Sequence, residues 1–130
     1  MRLRPQRTPF NRSLGRRGEM AAERYLRRQG YKILERNYRC KIGEIDLIAQ
    51  KDGRLIFIEV KTRRSSHYGL PEESVHPLKQ KKIVRAAEWY LKENHATDRA
   101  VSFEVAAVDW PDGEEPEVRV IRNAFYLDEA

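Results

Sequence analysis

The sequence predicts an α/β fold with a mixed central sheet flanked by helices. Two segments show helical periodicity of their apolar residues, and they alternate with short segments rich in β-branched residues, in the order helix, three strands, helix, two strands. A chain of 130 residues with 40% hydrophobic content can bury one core. We therefore expect a single domain over residues 13–130, preceded by a basic, flexible arm over residues 1–12.

The elements are bounded by local signals. The first helix is predicted over residues 13–29, with Ser13 as N-cap and Gly30 as its stop. Strands follow at about 31–38, 44–50 and 55–62 as a meander. A second helix at about 78–94 and strands at about 101–108 and 117–121 complete the order. The second helix has an apolar stripe that is suited to covering the sheet: Leu78, Ile83, Ala86, Ala87, Tyr90 and Leu91.

A turn signal fixes the register of the second and third strands. Asp52-Gly53 favours a two-residue type I′ turn, in which Lys51 pairs with Arg54. Counting outward from this pair predicts how every residue of the two strands faces its partner. The hairpin register is therefore an expectation that coordinates can test.

This register brings acidic side chains together. It places Asp46 opposite Glu59 and Glu44 opposite Lys61, and strand alternation puts all four on one face. The other face is predicted to carry Ile45, Leu47, Ile58 and Val60. Three carboxylates and one ammonium group then converge on one patch.

Such a patch suggests metal chemistry. Like charges that face each other across two strands are destabilising, and a divalent cation removes that repulsion. Mg²⁺ needs only one or two carboxylates beside waters and phosphate oxygens, so Asp46 and Glu59 are the candidate ligands for Mg²⁺ or Mn²⁺. Lys61 would orient or deprotonate an attacking water or stabilise charge on a phosphate. The alternative is a surface hairpin with exposed salt bridges.

The pattern Asp-x12-Glu-x-Lys formed by Asp46, Glu59 and Lys61 resembles motifs II and III of the PD-(D/E)XK nucleases. More closely, the chain resembles archaeal Holliday junction resolvases and the uncharacterised bacterial YraN-like family. The matching segments are Gly18-Glu19-Met20-Ala21-Ala22, Gly43-Glu44-Ile45-Asp46-Leu47-Ile48 and Phe57-Ile58-Glu59-Val60-Lys61-Thr62-Arg63. The resemblance implies a restriction endonuclease-like fold, metal-dependent cleavage of branched or structured DNA, and a possible homodimer.

The resemblance also implies an auxiliary carboxylate on the first helix, which by motif position is Glu19. On a helical wheel, Glu19 lies at the edge of the apolar face, next to Leu26. An acid favoured there by the helix dipole is an equal alternative. Glu44 is the second auxiliary candidate. The chain departs from the family at Ser102-Phe103-Glu104, where Arg-Phe-Asp is usual, so a supporting role for Glu104 is not expected.

The net charge of +6 is unevenly distributed, with six arginines and no acid in residues 1–18. A basic arm and a basic core are typical of nucleic-acid-binding proteins, and DNA is the expected partner. Alternatives are a nuclease fold that binds nucleic acid without turnover, and a small protein whose arm docks on an acidic partner. The candidate nucleic-acid contacts are Arg16, Arg17, Arg63, Arg64, Tyr68, Lys79, Gln80 and Lys82, of which Lys79 and Gln80 follow from the resemblance.

The sequence excludes other classes. No apolar run approaches the roughly 20 residues that a membrane helix needs, and the arginine-rich start lacks a signal peptide's apolar segment. We therefore expect a cytoplasmic protein without membrane contact. Cys40 is the only cysteine, which excludes an internal disulfide and a cysteine-based zinc site.

Overall fold

The structure is a computed structural model that describes residues 9–64 and 75–125, with side chains from residue 14 onward. Its elements follow the predicted order: α1 (Pro9–Arg28), β1 (Lys32–Arg39), β2 (Glu44–Lys51), β3 (Arg54–Arg63), α2 (Pro77–Glu93), β4 (Ala100–Asp109) and β5 (Glu117–Phe125). None of the described helices is long and apolar enough to cross a membrane.

The ends of two elements differ from the prediction. Helix α1 begins at Pro9, four residues before the predicted N-cap Ser13, so the helix includes residues 9–12, which were predicted as part of the basic arm. Proline is tolerated in a first helical turn because its missing N–H would have no partner there. Strand β5 continues to Phe125, whose ring stacks on Phe103 at a centroid distance of 5.1 Å. Phe125 is therefore part of the core.

The five strands form one mixed sheet in the order β1-β2-β3-β4-β5. Strands β1, β2 and β3 form an antiparallel meander, β4 runs parallel to β3, and β5 returns antiparallel to β4. Helix α2 makes the crossover between the two parallel strands. The predicted α/β architecture, a mixed sheet flanked by helices, is confirmed.

The two faces of the sheet bury separate clusters. Ala22 and Leu26 of α1 pack on one face with residues such as Ile58 and Val60. The α2 stripe packs on the other face with Phe57 and Phe103, and five of its six predicted residues are buried. The exception is Leu78, which is 64% exposed, because the first turn of α2 borders an open groove and does not pack on the sheet.

The β2–β3 turn has the predicted geometry. Asp52 and Gly53 have φ angles of 52° and 76°, as a type I′ turn requires, and Lys51 pairs with Arg54. The register continues as predicted to Leu47 opposite Ile58. Local turn chemistry therefore sets the alignment of the two strands.

The regular β2–β3 ladder ends at Leu47 and Ile58, and the predicted register is wrong beyond that pair. Leu47 lies in the cluster beneath α1, but Ile45 lies in the cluster beneath α2, so the two residues do not share a face. Glu44 does not pair with Lys61; it pairs with Arg39 of β1. Strand β1 also departs from regular geometry, since its register on β2 shifts between Ile33 and Glu35 and Asn37 has a φ of 51°. Strands β2 and β3 are not paired at the acidic residues and separate there.

A close contact fixes α1 against β3 near this separation. A Cβ atom added to Gly18 would lie 1.9 Å from the Thr62 hydroxyl oxygen, so only glycine allows the helix to approach so closely. Glu19 is the next residue of α1. The docking of the helix therefore determines where the Glu19 carboxylate lies.

Candidate active site

Asp46 and Glu59 meet where β2 and β3 separate. The backbone N–H of Val60 donates to Asp46 Oδ2 over 2.8 Å. Burial raises the pKa of Asp46 to about 7, helped by the charge of Glu59 and by a side-chain hydrogen bond with it; the Val60 hydrogen bond acts in the opposite direction. The two carboxylates are therefore neighbours through their side chains, whereas the predicted ladder pairing of Asp46 with Glu59 is not formed.

Glu59 is only 4% exposed, and it forms an ion pair with a lysine of α2. Lys79 Nζ lies 2.7 Å from Glu59 Oε2. Burial alone would lower the pKa of Lys79, but the hydrogen bond to Glu59 and the charges of Glu59, Asp46 and Glu44 raise it. Lys79, predicted as a contact for nucleic acid, therefore lies within the acidic cluster.

Glu19 approaches the same cluster from α1. Burial raises the pKa of its carboxyl group, Glu44 and Glu59 raise it further, and Arg16 lowers it. Glu19, Glu44, Asp46 and Arg16 also line one groove of about 770 Å³. The structure thus brings Glu19 close to both predicted ligands.

The remaining two predicted site residues differ in their surroundings. Lys61 lies on β3 two residues after Glu59, is half-buried, and forms no ion pair within the described parts of the chain. Glu44 is exposed, and Arg39 Nε lies 3.0 Å from its Oε2. Lys61 is therefore available beside the pair, whereas Glu44 borders the site as part of a surface ion pair.

The donor set suits a hard cation that keeps several waters. Two adjacent carboxylates, one of them almost fully buried, are the oxygen ligands that Mg²⁺ and Mn²⁺ take. Among residues 9–64 and 75–125, no group of three or more His, Cys, Asp or Glu side chains is arranged to hold a metal ion. The residues thus fit a cation held by Asp46 and Glu59 and completed by water or phosphate oxygens.

The predicted nucleic-acid contacts divide into two groups. Arg16 and Lys82 each line a groove beside the site. The others have partners within the protein. Arg17 lies 4.4 Å above the Trp110 ring, and Gln80 donates to the Val75 carbonyl. The 14%-exposed Arg63 side chain pairs with Asp109, and Arg64 pairs with Asp112. Tyr68 lies outside the described residues. The structure thus leaves Arg16 and Lys82 as the most accessible of this set.

The groove lined by Glu19 and Asp46 also contains arginines that the sequence prediction did not single out. Arg24, Arg27, Arg36 and Arg39 line it together with the acidic residues. Glu23 pairs with both Arg27 and Arg36, and these ion pairs lower the pKa of Glu23. Only the i, i+4 spacing of Glu23 and Arg27 could have been read from the sequence; Arg36 comes from a different element.

Comparison with known proteins places this geometry in a family. The family model described as "Uncharacterised protein family UPF0102" matches residues 18–108. The chain belongs to the UPF0102 family. This confirms the YraN-like resemblance, and the matched residues include Glu19, Asp46, Glu59, Lys61 and Lys79.

UPF0102 relatives match over most of their length. The UPF0102 protein of Pelobacter propionicus is 47% identical over 121 residues, which cover 92% of this chain and 86% of that protein. The UPF0102 protein of Syntrophotalea carbinolica is 49% identical over 116 residues, covering 89% and 94%. Among solved structures, the Ca²⁺ complex of Pyrococcus furiosus SfsA matches distantly, with a TM-score of 0.42, 17% identity, and coverage of 84% of this chain and 62% of that one.

Proposed function

We propose that this UPF0102 protein is a metal-dependent endonuclease that hydrolyses phosphodiester bonds in nucleic acid, with branched or structured DNA as the substrate. The observation that carries the proposal is the pair of adjacent carboxylates at a strand separation, the half-buried Asp46 and the buried Glu59, with Lys61 two residues further along β3. Packing alone does not favour two acids in contact, because their mutual repulsion destabilises the fold.

Each side chain has a distinct role in the proposed reaction. Bound Mg²⁺ or Mn²⁺ would acidify a water and neutralise phosphate charge. Asp46 and Glu59 hold the cation, and the Val60 N–H fixes the orientation of the Asp46 carboxylate. Lys61 orients the attacking water and stabilises the charge that develops on the phosphate. Glu19 adds negative charge from α1, which strengthens the attraction for the cation.

The surroundings of the site suit a phosphate backbone. Arg16 and Arg24 border the groove that also contains Asp46 and Glu19, and Lys82 lines a second groove on the other side, next to Lys79. Cationic side chains on both sides of an acidic centre can hold the backbone while the centre acts on one phosphate. This arrangement supports nucleic acid over a small phosphorylated substrate.

The test compares two glutamates of nearly equal burial. Wild type, Glu59→Gln and Glu104→Gln would be incubated with junction, flap, duplex and RNA substrates in Mg²⁺, Mn²⁺ or EDTA. We expect cleavage that requires metal, a loss of at least about 100-fold in Glu59→Gln, and near wild-type rates in Glu104→Gln. Glu104 is the matched control because it is only 5% exposed but lies outside the acidic cluster.

Two outcomes would contradict the proposal. Equal cleavage by wild type and Glu59→Gln would exclude the assigned site and indicate a contaminating nuclease. Tight, salt-dependent binding without cleavage of any substrate would support a nucleic-acid-binding module that retains the fold without turnover. A gel-shift titration on the same samples separates these two results.

A further inference from the structure

Lys79 has a contact that the proposed reaction does not use. Its ammonium group lies 2.7 Å from Glu59 Oε2, a carboxylate that is 4% exposed, while the Lys79 side chain itself is 48% exposed. A buried carboxylate without a partner is strongly destabilising, so this contact supports Glu59 in the absence of any other cation. Lys79 thus already neutralises a carboxylate that is assigned to the metal.

The charges around Lys79 are those expected to attract a divalent cation. Glu59, Asp46 and Glu44 all act on its ammonium group. An ammonium ion and a divalent cation beside the same carboxylate oxygen repel each other, and the carboxylate cannot satisfy both equally well. The two cations therefore compete for Glu59.

The position of Lys79 permits its release. It is the third residue of α2, and its flexible side chain reaches the sheet from the solvent side. It also lines the second groove, of about 540 Å³, together with His76 and Lys82. A Lys79 ammonium that leaves Glu59 can therefore turn toward that groove, where a phosphate would meet Lys82.

We propose that Lys79 is a resident counter-ion of this site, which holds Glu59 in the metal-free protein and is displaced toward the adjacent groove when a divalent cation binds. The proposal rests on the proposed function, since it assigns the cation to Glu59. It adds an order of events: metal binding converts Lys79 from a carboxylate partner into a phosphate contact. Lys79 is in this sense a positioning residue for substrate.

The test measures Mn²⁺ affinity directly, without cleavage. Mn²⁺ binding to full-length wild type, Lys79→Met, Lys82→Met and Glu59→Gln would be followed by the electron paramagnetic resonance signal of free Mn²⁺. We expect Lys79→Met to bind Mn²⁺ about three- to tenfold more tightly than wild type, because the competing charge-assisted hydrogen bond is gone. Lys82→Met, one turn away on the same helix, should stay within about twofold of wild type.

A second readout separates competition from loss of structure. In EDTA, Lys79→Met should melt at a lower temperature than wild type, because Glu59 has lost its partner. Saturating Mn²⁺ should close this gap, whereas a variant that is simply damaged would keep it. Lys79→Met that binds Mn²⁺ no better than wild type, while wild type binds and Glu59→Gln does not, would overturn the proposal and leave the proposed function intact.

Failure of the proposed function gives a different pattern. If neither wild type nor Lys79→Met binds Mn²⁺, or if Glu59→Gln binds it as wild type does, then Glu59 is not a ligand and both proposals are wrong. Binding by Lys79→Met but not by wild type would support the competition in its strongest form.

Discussion

Two glutamates on adjacent strands are buried to nearly the same extent, yet the protein accommodates them differently. Glu59 of β3 is 4% exposed and Glu104 of β4 is 5% exposed. Glu104 accepts a hydrogen bond of 2.7 Å from the Tyr31 hydroxyl, a neutral donor in the core beneath α1. Glu59 instead contacts the carboxylate of Asp46 and the long, half-exposed side chain of Lys79.

The surroundings of Glu104 are those of a structural carboxylate. Burial raises its pKa, but the Tyr31 hydrogen bond and the charges of Arg122, Lys51 and Arg54 lower it again. Every neighbour that acts on it thus favours its charged form. The neighbours of Asp46 are mostly acids that disfavour its charged form. This contrast indicates that the acidic cluster was not selected for folding stability, and it supports a ligand that neutralises the cluster.

Asp46→Asn should produce the largest change in stability, and that change depends on pH. The pKa of Asp46 in the folded protein is about 7, raised from an ordinary value of 3.8. Because the folded state binds this proton more tightly, the stability from Asp46 is full below about pH 4 and falls as the pH rises toward 7. Asparagine removes this fall. The free energy of unfolding of the variant, relative to that of wild type, should therefore rise by about 2 to 4 kcal/mol from pH 4 to pH 8.

Urea denaturation in EDTA across this pH range measures the effect. The difference between wild type and Asp46→Asn isolates Asp46 from other groups that titrate in the same window, such as Glu19 and Glu104. Stability curves that stay parallel from pH 4 to pH 8 would show that Asp46 does not carry a raised pKa, and the contrast with Glu104 would then be lost.

The acidic cluster also depends on how α1 docks. Gly18→Ala would place a Cβ atom 1.9 Å from Thr62 Oγ1, and the overpacking should destabilise the protein by about 1 to 3 kcal/mol. Displacement of α1 should also move Glu19 and weaken Mn²⁺ binding. Thermal melting and Mn²⁺ titration of the same variant measure the two effects.

Gly15→Ala is the matched control for this substitution. No atom lies within 4 Å of a Cβ atom at Gly15, so alanine there should stabilise the helix by about 0.5 to 1 kcal/mol. Equal effects of the two substitutions would contradict the close approach at Thr62.

Of the three test substitutions, Tyr31→Phe should have the smallest effect on stability, and this effect should be limited to Glu104. Loss of the phenol donor leaves Glu104 without that hydrogen bond, which should cost about 1 to 2 kcal/mol. Since the hydrogen bond favours the charged form and lowers the pKa of Glu104, the loss should grow as the pH rises from 4 to 8. Urea denaturation at both pH values measures it.

Tyr31→Phe should leave the Mn²⁺ affinity of the protein unchanged, because Glu104 lies outside the acidic cluster. Tyr38→Phe is the matched control: it removes an exposed hydrogen bond to Glu93 and should alter stability by less than about 0.5 kcal/mol. Weaker Mn²⁺ binding in Tyr31→Phe would mean that the two buried carboxylates are not independent.

The sequence predicted those parts of the site that depend on local chemistry. The Asp52-Gly53 turn set the register as far as Leu47 opposite Ile58, which leaves Asp46 and Glu59, the next residues of the two strands, close to each other. Apolar periodicity likewise predicted the buried stripe of α2, apart from Leu78. Turn preference and periodicity act over a few residues, so they can be read from the chain directly.

The rest depends on tertiary contacts. The regular pairing of β2 with β3 ends after Leu47 and Ile58, and no local pattern in the two strands predicts this. The pairing of Glu104 with Tyr31 joins residues 73 positions apart. Lys79 was predicted as a nucleic-acid contact from the resemblance, and strand and helix patterns cannot show which lysine of a basic turn reaches a buried acid.

The two-residue turn between β2 and β3 has a consequence for the order of folding. Asp46 and the Val60 N–H that binds it are 14 positions apart in the chain, so the loop that must close is short and the hairpin can form early. The parallel pairing of β3 with β4 joins Arg54 to Ala100 and must wait for a much longer closure. We therefore expect the two acids to be brought together before α2 docks and Lys79 reaches Glu59.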